Sequence, residues 1–208
     1  MKRKAGVAAM MLVATVVMAS PAVAQGTVSL RTERAQVLAK YVELSRLSMA
    51  DRKQTYEPLD PRVKEDLWSV HVEKYLAGHP ALSPGQRAVI FSFLGVIQSG
   101  AMEQPSWEPG WQTGVDQPFR VIENQARELF SPAEAQAIFA TLGPVERTAS
   151  GAVHAFFRQP VDSCECSTES PWCDWLTNPD PSCHNGGCLP QHGCGTGWSY
   201  DCNGMCGT

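Results

Sequence analysis

Apolar residues recur at helical spacing through most of the first two thirds of the chain. From Val28 to Met49 they mark one helix face, with arginine and glutamate on the other: Leu30, Val37, Leu38, Tyr41, Leu44 and Leu47. A second stripe follows Asp60-Pro61 and ends before Gly78-His79-Pro80: Val63, Leu67, Val70 and Tyr75. This period is typical of amphipathic helices that bury one face. An acid before Pro also marks a helix start.

Two capping motifs predict further helices. Ser83-Pro84-Gly85-Gln86 and Ser131-Pro132-Ala133-Glu134 each place Ser three residues before Gln or Glu, the pattern of a capping box. The first motif opens a strongly apolar helix to Ile97, and the second opens a helix to Leu142. The other predicted segments are a loop at 104–117, a helix at 119–130 and a weak last helix at 145–157. The pattern therefore predicts an all-α N-terminal domain of about five or six helices.

The N-terminus has the pattern of a secretory signal peptide. Lys2-Arg3-Lys4 precedes an apolar run from Ala5 to Ala19, and Ala22-Val23-Ala24 before Gln25 is an A-x-A cleavage site. The run is about 15 residues, shorter than the roughly 20 that span a bilayer. We therefore expect residues 1–24 to be removed between Ala24 and Gln25. This signal predicts export through the Sec pathway to the periplasm or the medium.

The cysteines are confined to the C-terminal end. All eight lie between Cys164 and Cys206, at Cys164, Cys166, Cys173, Cys183, Cys188, Cys194, Cys202 and Cys206. An even number of cysteines in an exported chain predicts a disulfide framework. With seven glycines and four prolines, residues 162–208 should form a small module with little regular structure. Cys164 and Cys166 are too close to pair with each other, but the remaining pairings stay open among the 105 that eight cysteines allow.

Zinc is the structural alternative to disulfides. Cys183-x₄-Cys188 and Cys202-x₃-Cys206 loosely fit the spacing of structural zinc ligands, and His184 lies nearby with His192. An exported chain nevertheless favours oxidised cysteines. We therefore predict four disulfides, no metal and no cofactor.

Charge narrows the classes of partner. The chain carries a net charge of −4, and residues 162–208 hold six acidic residues with no lysine or arginine. Nucleic-acid binding is disfavoured because phosphate contacts need clustered cations. A simple cationic membrane-lytic peptide is disfavoured for the same reason. The large aromatic side chains of the module are instead the predicted target contacts, unless they pack on the disulfides: Trp172, Trp175, Trp198 and Tyr200.

No catalytic constellation is evident. The sequence lacks the G-x-S-x-G, H-E-x-x-H and P-loop motifs. His71 is expected to be a surface or partly buried helix residue. Trp107 and Trp111, in the predicted loop at 104–117, are expected to cover the core rather than to form a recognition surface. We therefore predict that the protein is not an enzyme.

The cysteine-rich end resembles a known family. Its first part reads Ser163-Cys-Glu-Cys-Ser-Thr-Glu-Ser-Pro-Trp-Cys173, and its last part reads Gly193-Cys-Gly-Thr-Gly-Trp-Ser-Tyr-Asp-Cys-Asn-Gly204. These motifs are similar to fulvocin C, a cysteine-rich bacteriocin, and to fulvocin C-related proteins. The resemblance covers residues 162–208. It implies a small secreted toxin with four disulfides that begins near Asp162 and acts on the envelope of related bacteria.

Three functions follow from these observations. The first is a bacteriocin-type precursor with signal peptide 1–24, helical pro-region 25–161 and toxin 162–208, cleaved between Val161 and Asp162. Its partners would be a target-cell envelope or surface receptor, and an immunity protein in the producer is an open question. The second is an exported, non-enzymatic binding protein with a permanent cysteine-rich module, favoured because no dibasic or double-glycine processing site precedes Cys164. The third is a secreted enzyme or protease inhibitor.

Overall fold

The computed structural model describes residues 22–144, 164–170, 172–173 and 182–206, with side chains from residue 32. The chain divides into two compact units, Met1–Arg34 and Ala35–Thr208. In the first unit, the described residues belong to a helix. All contacts below lie in the second unit. There, residues 35–144 are called the helical region, and the described residues from Cys164 to Cys206 are called the tail.

Among the described residues, six α-helices precede the tail, which confirms the predicted fold class. They are α1 (Ala22–Leu44), α2 (Met49–Tyr56), α3 (Pro61–Gly78), α4 (Pro84–Ile97), α5 (Gln117–Leu129) and α6 (Pro132–Phe139). A 3₁₀ turn at Ala101–Glu103 and a π-helical turn at Gln112–Asp116 lie in the predicted loop before α5. α6 ends three residues before the predicted Leu142, and the weak helix predicted at 145–157 lies outside the described residues. Within the described part of the chain, none of the helices has the length and hydrophobicity of a membrane span.

Local capping chemistry explains where the helices begin. Ser83 and Ser131 form capping boxes with Gln86 and Glu134, as predicted. The carboxylate of Asp60 accepts a hydrogen bond from the backbone N–H of Arg62. These side chains satisfy N–H groups that the first helical turn leaves without partners.

α2 is the helix that the apolar pattern does not predict. It begins after Ser48, whose hydroxyl accepts a hydrogen bond from the N–H of Asp51. It is polar along most of its length, yet Arg52 and Tyr56 are buried. Arg52 donates to the carbonyls of Leu44 and Leu142, at 3.1 and 2.9 Å. Its guanidinium therefore joins the end of α1 to the segment after α6.

The main apolar cluster of the second unit contains side chains from both regions. Its helical part is formed mainly by α3, α4, α5 and α6, with Trp68, Phe93 and Phe139 fully buried. Trp172, Trp198 and Tyr200 of the tail belong to the same apolar cluster. The tail therefore packs against the helices rather than folding around a separate aliphatic core.

The tail has short strands and turns, as predicted. β1 (Cys183–His184) pairs antiparallel with β4 (Met205–Cys206), and β2 (Gln191–Cys194) pairs antiparallel with β3 (Tyr200–Cys202). Between β2 and β3, Gly195 and Gly197 adopt φ of 70° and 64°. This confirms the predicted glycine turn, because L-residues rarely adopt positive φ.

Candidate functional site

Four disulfides staple the tail, which confirms the predicted framework. They are Cys164–Cys188, Cys166–Cys183, Cys173–Cys206 and Cys194–Cys202, with Cα–Cα separations of 5.0, 5.9, 5.5 and 5.1 Å. These separations lie within the usual range for disulfides. Cys164 and Cys166 pair elsewhere, as expected. Among the described residues, the sulfurs of Cys166, Cys173 and Cys183 form one group within 4.8 Å, but all three are in disulfides.

Trp198 makes both polar and aromatic contacts with the helices. Its indole N–H donates to the carbonyl of Ala140 at 2.9 Å, and its ring packs edge-on against Tyr56 and Trp68 at 5.0 and 5.9 Å. The preceding Gly197 makes this approach possible. A Cβ at Gly197 would lie 2.9 Å from Cδ1 of Ile97 on α4. A larger residue would therefore push the turn away from the helix.

Trp172 and Tyr200 fix two further points of the tail. The indole N–H of Trp172 donates to the Thr196 hydroxyl at 2.6 Å, and its ring stacks on Phe139 of α6 at 6.3 Å. The hydroxyl of Tyr200 donates to the carboxylate of Asp116 at 3.1 Å. We call Trp172, Trp198 and Tyr200 the aromatic anchor. Their exposed fractions are 7, 5 and 2%.

A buried carboxylate organises the polar part of the same interface. Glu123 of α5 accepts hydrogen bonds from the hydroxyls of Ser170 and Thr196, at 3.0 and 2.5 Å. Burial raises the pKa of Glu123, and these two hydrogen bonds oppose the rise. The Ser170 hydroxyl also accepts from the N–H of Thr196 at 3.1 Å. Glu123 therefore holds two loops of the tail against one helix.

Lys53 of α2 also faces the tail. Its ammonium lies 3.5 Å from the sulfur of Cys194 and 6.0 Å from the centre of the Trp198 ring. Burial lowers the pKa of Lys53 to about 8, and the carboxylate of Glu165 partly offsets this shift. The sequence gives no signal for Lys53 or Glu123, because both lie on helix faces that would be solvated if the tail were absent.

Three of the four predicted target contacts are described by the structure, and they are buried. In the intact chain the aromatic anchor is inside the core, so its side chains do not form an exposed contact surface. Trp175 and the predicted cleavage site Val161–Asp162 lie outside the described residues. Ala24 and Gln25, the predicted signal cleavage site, lie within α1, where side chains are not described. Target contact and both cleavages stay predictions.

A polar pocket opens where the helical region meets the tail. It has a volume of about 280 Å³ and is lined by Ser106, Trp107, Ser167, Glu169, Asp201 and Asn203. We call it the junction pocket. Trp107 is 71% exposed, whereas Trp111, in the same loop, is 3% exposed and packs edge-on against Tyr200. The expectation that both tryptophans cover the core is confirmed for Trp111 and wrong for Trp107.

Hydrogen bonds hold the polar groups of the junction pocket in place. The Ser106 hydroxyl donates to the Asp201 carboxylate at 2.9 Å, and the other oxygen of that carboxylate contacts Nδ1 of His192. Asn203 accepts from the N–H of Thr168 through its carbonyl oxygen at 2.8 Å. Ser106 contacts a carboxylate rather than the imidazole, so the geometry lacks the hydroxyl–imidazole contact of an activated serine nucleophile.

Both ring nitrogens of His71 make hydrogen bonds to the backbone. It is 5% exposed, deeper than predicted, and its Nε2 donates to the carbonyl of Ala137 at 2.9 Å. Its Nδ1 accepts from the N–H of Gly143 at 3.3 Å. Burial lowers the pKa of His71 to about 4. The side chain therefore acts as a neutral structural link between α3 and the end of α6.

Comparison of the chain with protein-family models, with curated proteins and with solved structures finds no match. The resemblance to fulvocin C is therefore carried by the tail motifs alone. Four disulfides in the tail indicate an extracellular or otherwise oxidising environment.

Proposed function

We propose that the protein is an exported, non-enzymatic binding protein in which the tail is a permanent part of the fold. The observation that supports this most directly is the burial of the aromatic anchor in the core of the helical region. Each large buried aromatic removes roughly 150–250 Å² from water. Releasing the tail would expose three such side chains and their partners on the helices.

The polar contacts support the same proposal. Separation would leave Glu123 without the hydroxyls of Ser170 and Thr196, and Asp116 without the hydroxyl of Tyr200. Separation would exchange these three hydrogen bonds for bonds to water, and an intramolecular hydrogen bond contributes about 0.5–1.5 kcal/mol net to stability. These matched contacts hold the tail against the helices in the intact chain, as a permanent module requires.

Intact mass spectrometry of the natural secreted product tests this proposal. We expect a species that ends at Thr208 and contains the helical region. Its mass should rise by about eight daltons on reduction, two for each of the four disulfides. A peptide that begins near Asp162 and lacks the helical region would contradict the proposal.

The second candidate is the bacteriocin-type precursor, and the tail motifs that resemble fulvocin C favour it. In this case the helical region would act as an inhibitory pro-region, because it covers the aromatic anchor that would contact the target envelope. The disulfides would let the released tail keep its fold. An assay on related bacteria separates the candidates: killing by residues 162–208, absent for the full chain, would favour the precursor. Equal inactivity of both would count against it.

A further inference from the structure

We propose that the junction pocket is a carbohydrate-binding site for one ring of a neutral saccharide, with Trp107 as its stacking platform. This inference names the ligand class of the proposed binding protein and rests on that function, because the pocket needs both regions. Ser106 and Trp107 come from the helical region. Ser167, Glu169, Asp201 and Asn203 come from the tail.

The exposure of Trp107 is the first step of the argument. The other tryptophans with described side chains, at 68, 111, 172 and 198, are at most 7% exposed, whereas Trp107 is 71% exposed. It lies in a turn closed by a hydrogen bond from the N–H of Glu108 to the carbonyl of Pro105, at 3.0 Å. The N–H of Trp111, whose side chain is buried, in turn donates to the carbonyl of Glu108 at 3.1 Å. The indole of Trp107 is thus presented at the pocket by a constrained segment.

The second step is the mixture of donors and acceptors around the indole. Asn203 uses its carbonyl oxygen for Thr168, which leaves its amide NH₂ as a donor. Among the described residues, nothing pairs with the Glu169 carboxylate, and the indole N–H of Trp107 has no acceptor. Sugar hydroxyls both donate and accept hydrogen bonds. A pocket that offers carboxylate acceptors beside amide and indole donors matches that chemistry.

Charge and size restrict the ligand further. Two carboxylates and no lysine or arginine line the pocket, so phosphates and acidic sugars are repelled. Ser106 and His192 already contact the Asp201 carboxylate and fix its orientation. Asp201 is therefore better placed to accept a hydrogen bond from a ligand hydroxyl than to neutralise a ligand cation. Pockets for drug-sized ligands run from about 300 to 1,000 Å³. At about 280 Å³, this one fits a single pyranose ring whose C–H face packs on the indole.

A quaternary ammonium group is the competing ligand, because aromatic faces and carboxylates also attract cations. The substitution Asn203→Asp separates the two ligands. It keeps the oxygen that accepts from Thr168, removes the amide donor and adds a third carboxylate. Saccharide binding should become at least about fivefold weaker, whereas binding of a cation should become stronger.

The experiment titrates the full oxidised chain with N-acetylchitohexaose, cellohexaose and maltohexaose, and separately with tetramethylammonium, by calorimetry. We expect at least one hexasaccharide to bind, and Trp107→Ala to weaken it at least about tenfold. Leu189→Ala is the matched control, because Leu189 is 69% exposed in the tail but does not line the pocket. It should change the affinity less than about twofold.

Three outcomes would overturn the inference. They are no hexasaccharide binding at about 5 mM ligand, binding that is indifferent to Trp107→Ala, and tetramethylammonium binding that Asn203→Asp strengthens. The titration uses the recombinant full chain, so it is independent of how the natural product is processed. A released tail in the medium would therefore contradict the proposed function without changing the titration result. An intact natural product together with no saccharide binding would contradict the pocket proposal alone.

Discussion

The helical region and the tail share one core but hold their backbones in different ways. In the helical region, α2 to α6 are helices of eight to 18 residues that satisfy most of their own backbone hydrogen bonds and bury one face. In the tail, strands of two to four residues satisfy few such bonds, and four disulfides replace them. The tail contributes aromatic side chains to a core that it could not build alone. Covalent links therefore fix its backbone, while the helices provide its solvent-excluded surroundings.

Removing the indole of Trp198 should have the largest effect on this shared core. Trp198→Ala empties a site between Tyr56, Trp68 and Ala140, and such a truncation typically destabilises a core by about 3–5 kcal/mol. Denaturant unfolding followed by far-UV circular dichroism measures this loss in the helices. Trp107→Ala is the matched control and should change the free energy of unfolding by less than about 0.5 kcal/mol. Equal stability of the two variants would mean that the helices do not depend on the tail.

The disulfides should contribute different amounts to the free energy of unfolding, according to the length of the loop that each one closes. Cys173–Cys206 spans 33 residues, whereas Cys194–Cys202 spans 8. Loop-closure entropy gives about 4 kcal/mol for the longer loop and about 2.5 for the shorter. Paired serine substitutions, compared by thermal unfolding, should therefore rank the longer link as the more stabilising. The opposite ranking would show that interactions in the native tail outweigh constraint of the unfolded chain.

Acid should weaken the helical region through His71. The pKa of His71 is lowered to about 4 in the fold, so the unfolded chain takes up its proton first as the pH falls below about 6.5. Stability should decline between about pH 6.5 and 4, by up to about 3 kcal/mol. His71→Gln should flatten this decline in unfolding experiments across that range. His79→Gln, at an exposed histidine, should leave the decline unchanged, and an identical slope in both variants would exclude His71 as its source.

Local chemistry made much of the fold predictable. The caps at Asp60, Ser83 and Ser131 depend on neighbours three residues away or fewer, so the sequence alone locates those helix starts. The apolar pattern does not predict α2, because this helix is short and polar. Ser48, three residues before Asp51, is nevertheless a capping signal. The cysteine count predicts four disulfides. It cannot select the pairing, because that choice depends on distances set by the whole tail.

The candidate site was less predictable, because its residues are separated along the chain. Trp107 and Trp111 lie in one loop with similar neighbours, and only contact with Tyr200 makes the second one a core residue. Ser106 and Asp201, which form a hydrogen bond in the pocket, are 95 residues apart in the sequence. The sequence predicts that the aromatic anchor contacts a target or packs on the disulfides, because the cysteine pattern marks the tail as a separate module. Its burial depends on packing against Tyr56, Trp68 and Phe139 and on the Asp116 carboxylate, which composition alone does not mark.

The smallest expected effect is a change of stability with pH that Lys53 causes. The direction of this change tests whether Lys53 is buried at the interface with the tail. The pKa of Lys53 is lowered to about 8 in the fold, so the unfolded chain binds its proton more strongly between about pH 8 and 10.5. Stability should therefore rise as the pH increases from about 8 to 10. Because Lys53 is only partly buried, solvent screening keeps this gain to about 1 kcal/mol.

Above about pH 10 the trend should reverse, since burial raises the pKa of both Tyr56 and Tyr200 and the unfolded chain loses those protons first. Lys53→Met should abolish the rise between about pH 8 and 10 while keeping the later fall. Lys40→Met, at a partly exposed lysine of α1 paired with Glu43, is the matched control and should keep both. If the stability of Lys53→Met still rises between about pH 8 and 10, another group causes the rise, and burial by the tail does not shift the pKa of Lys53.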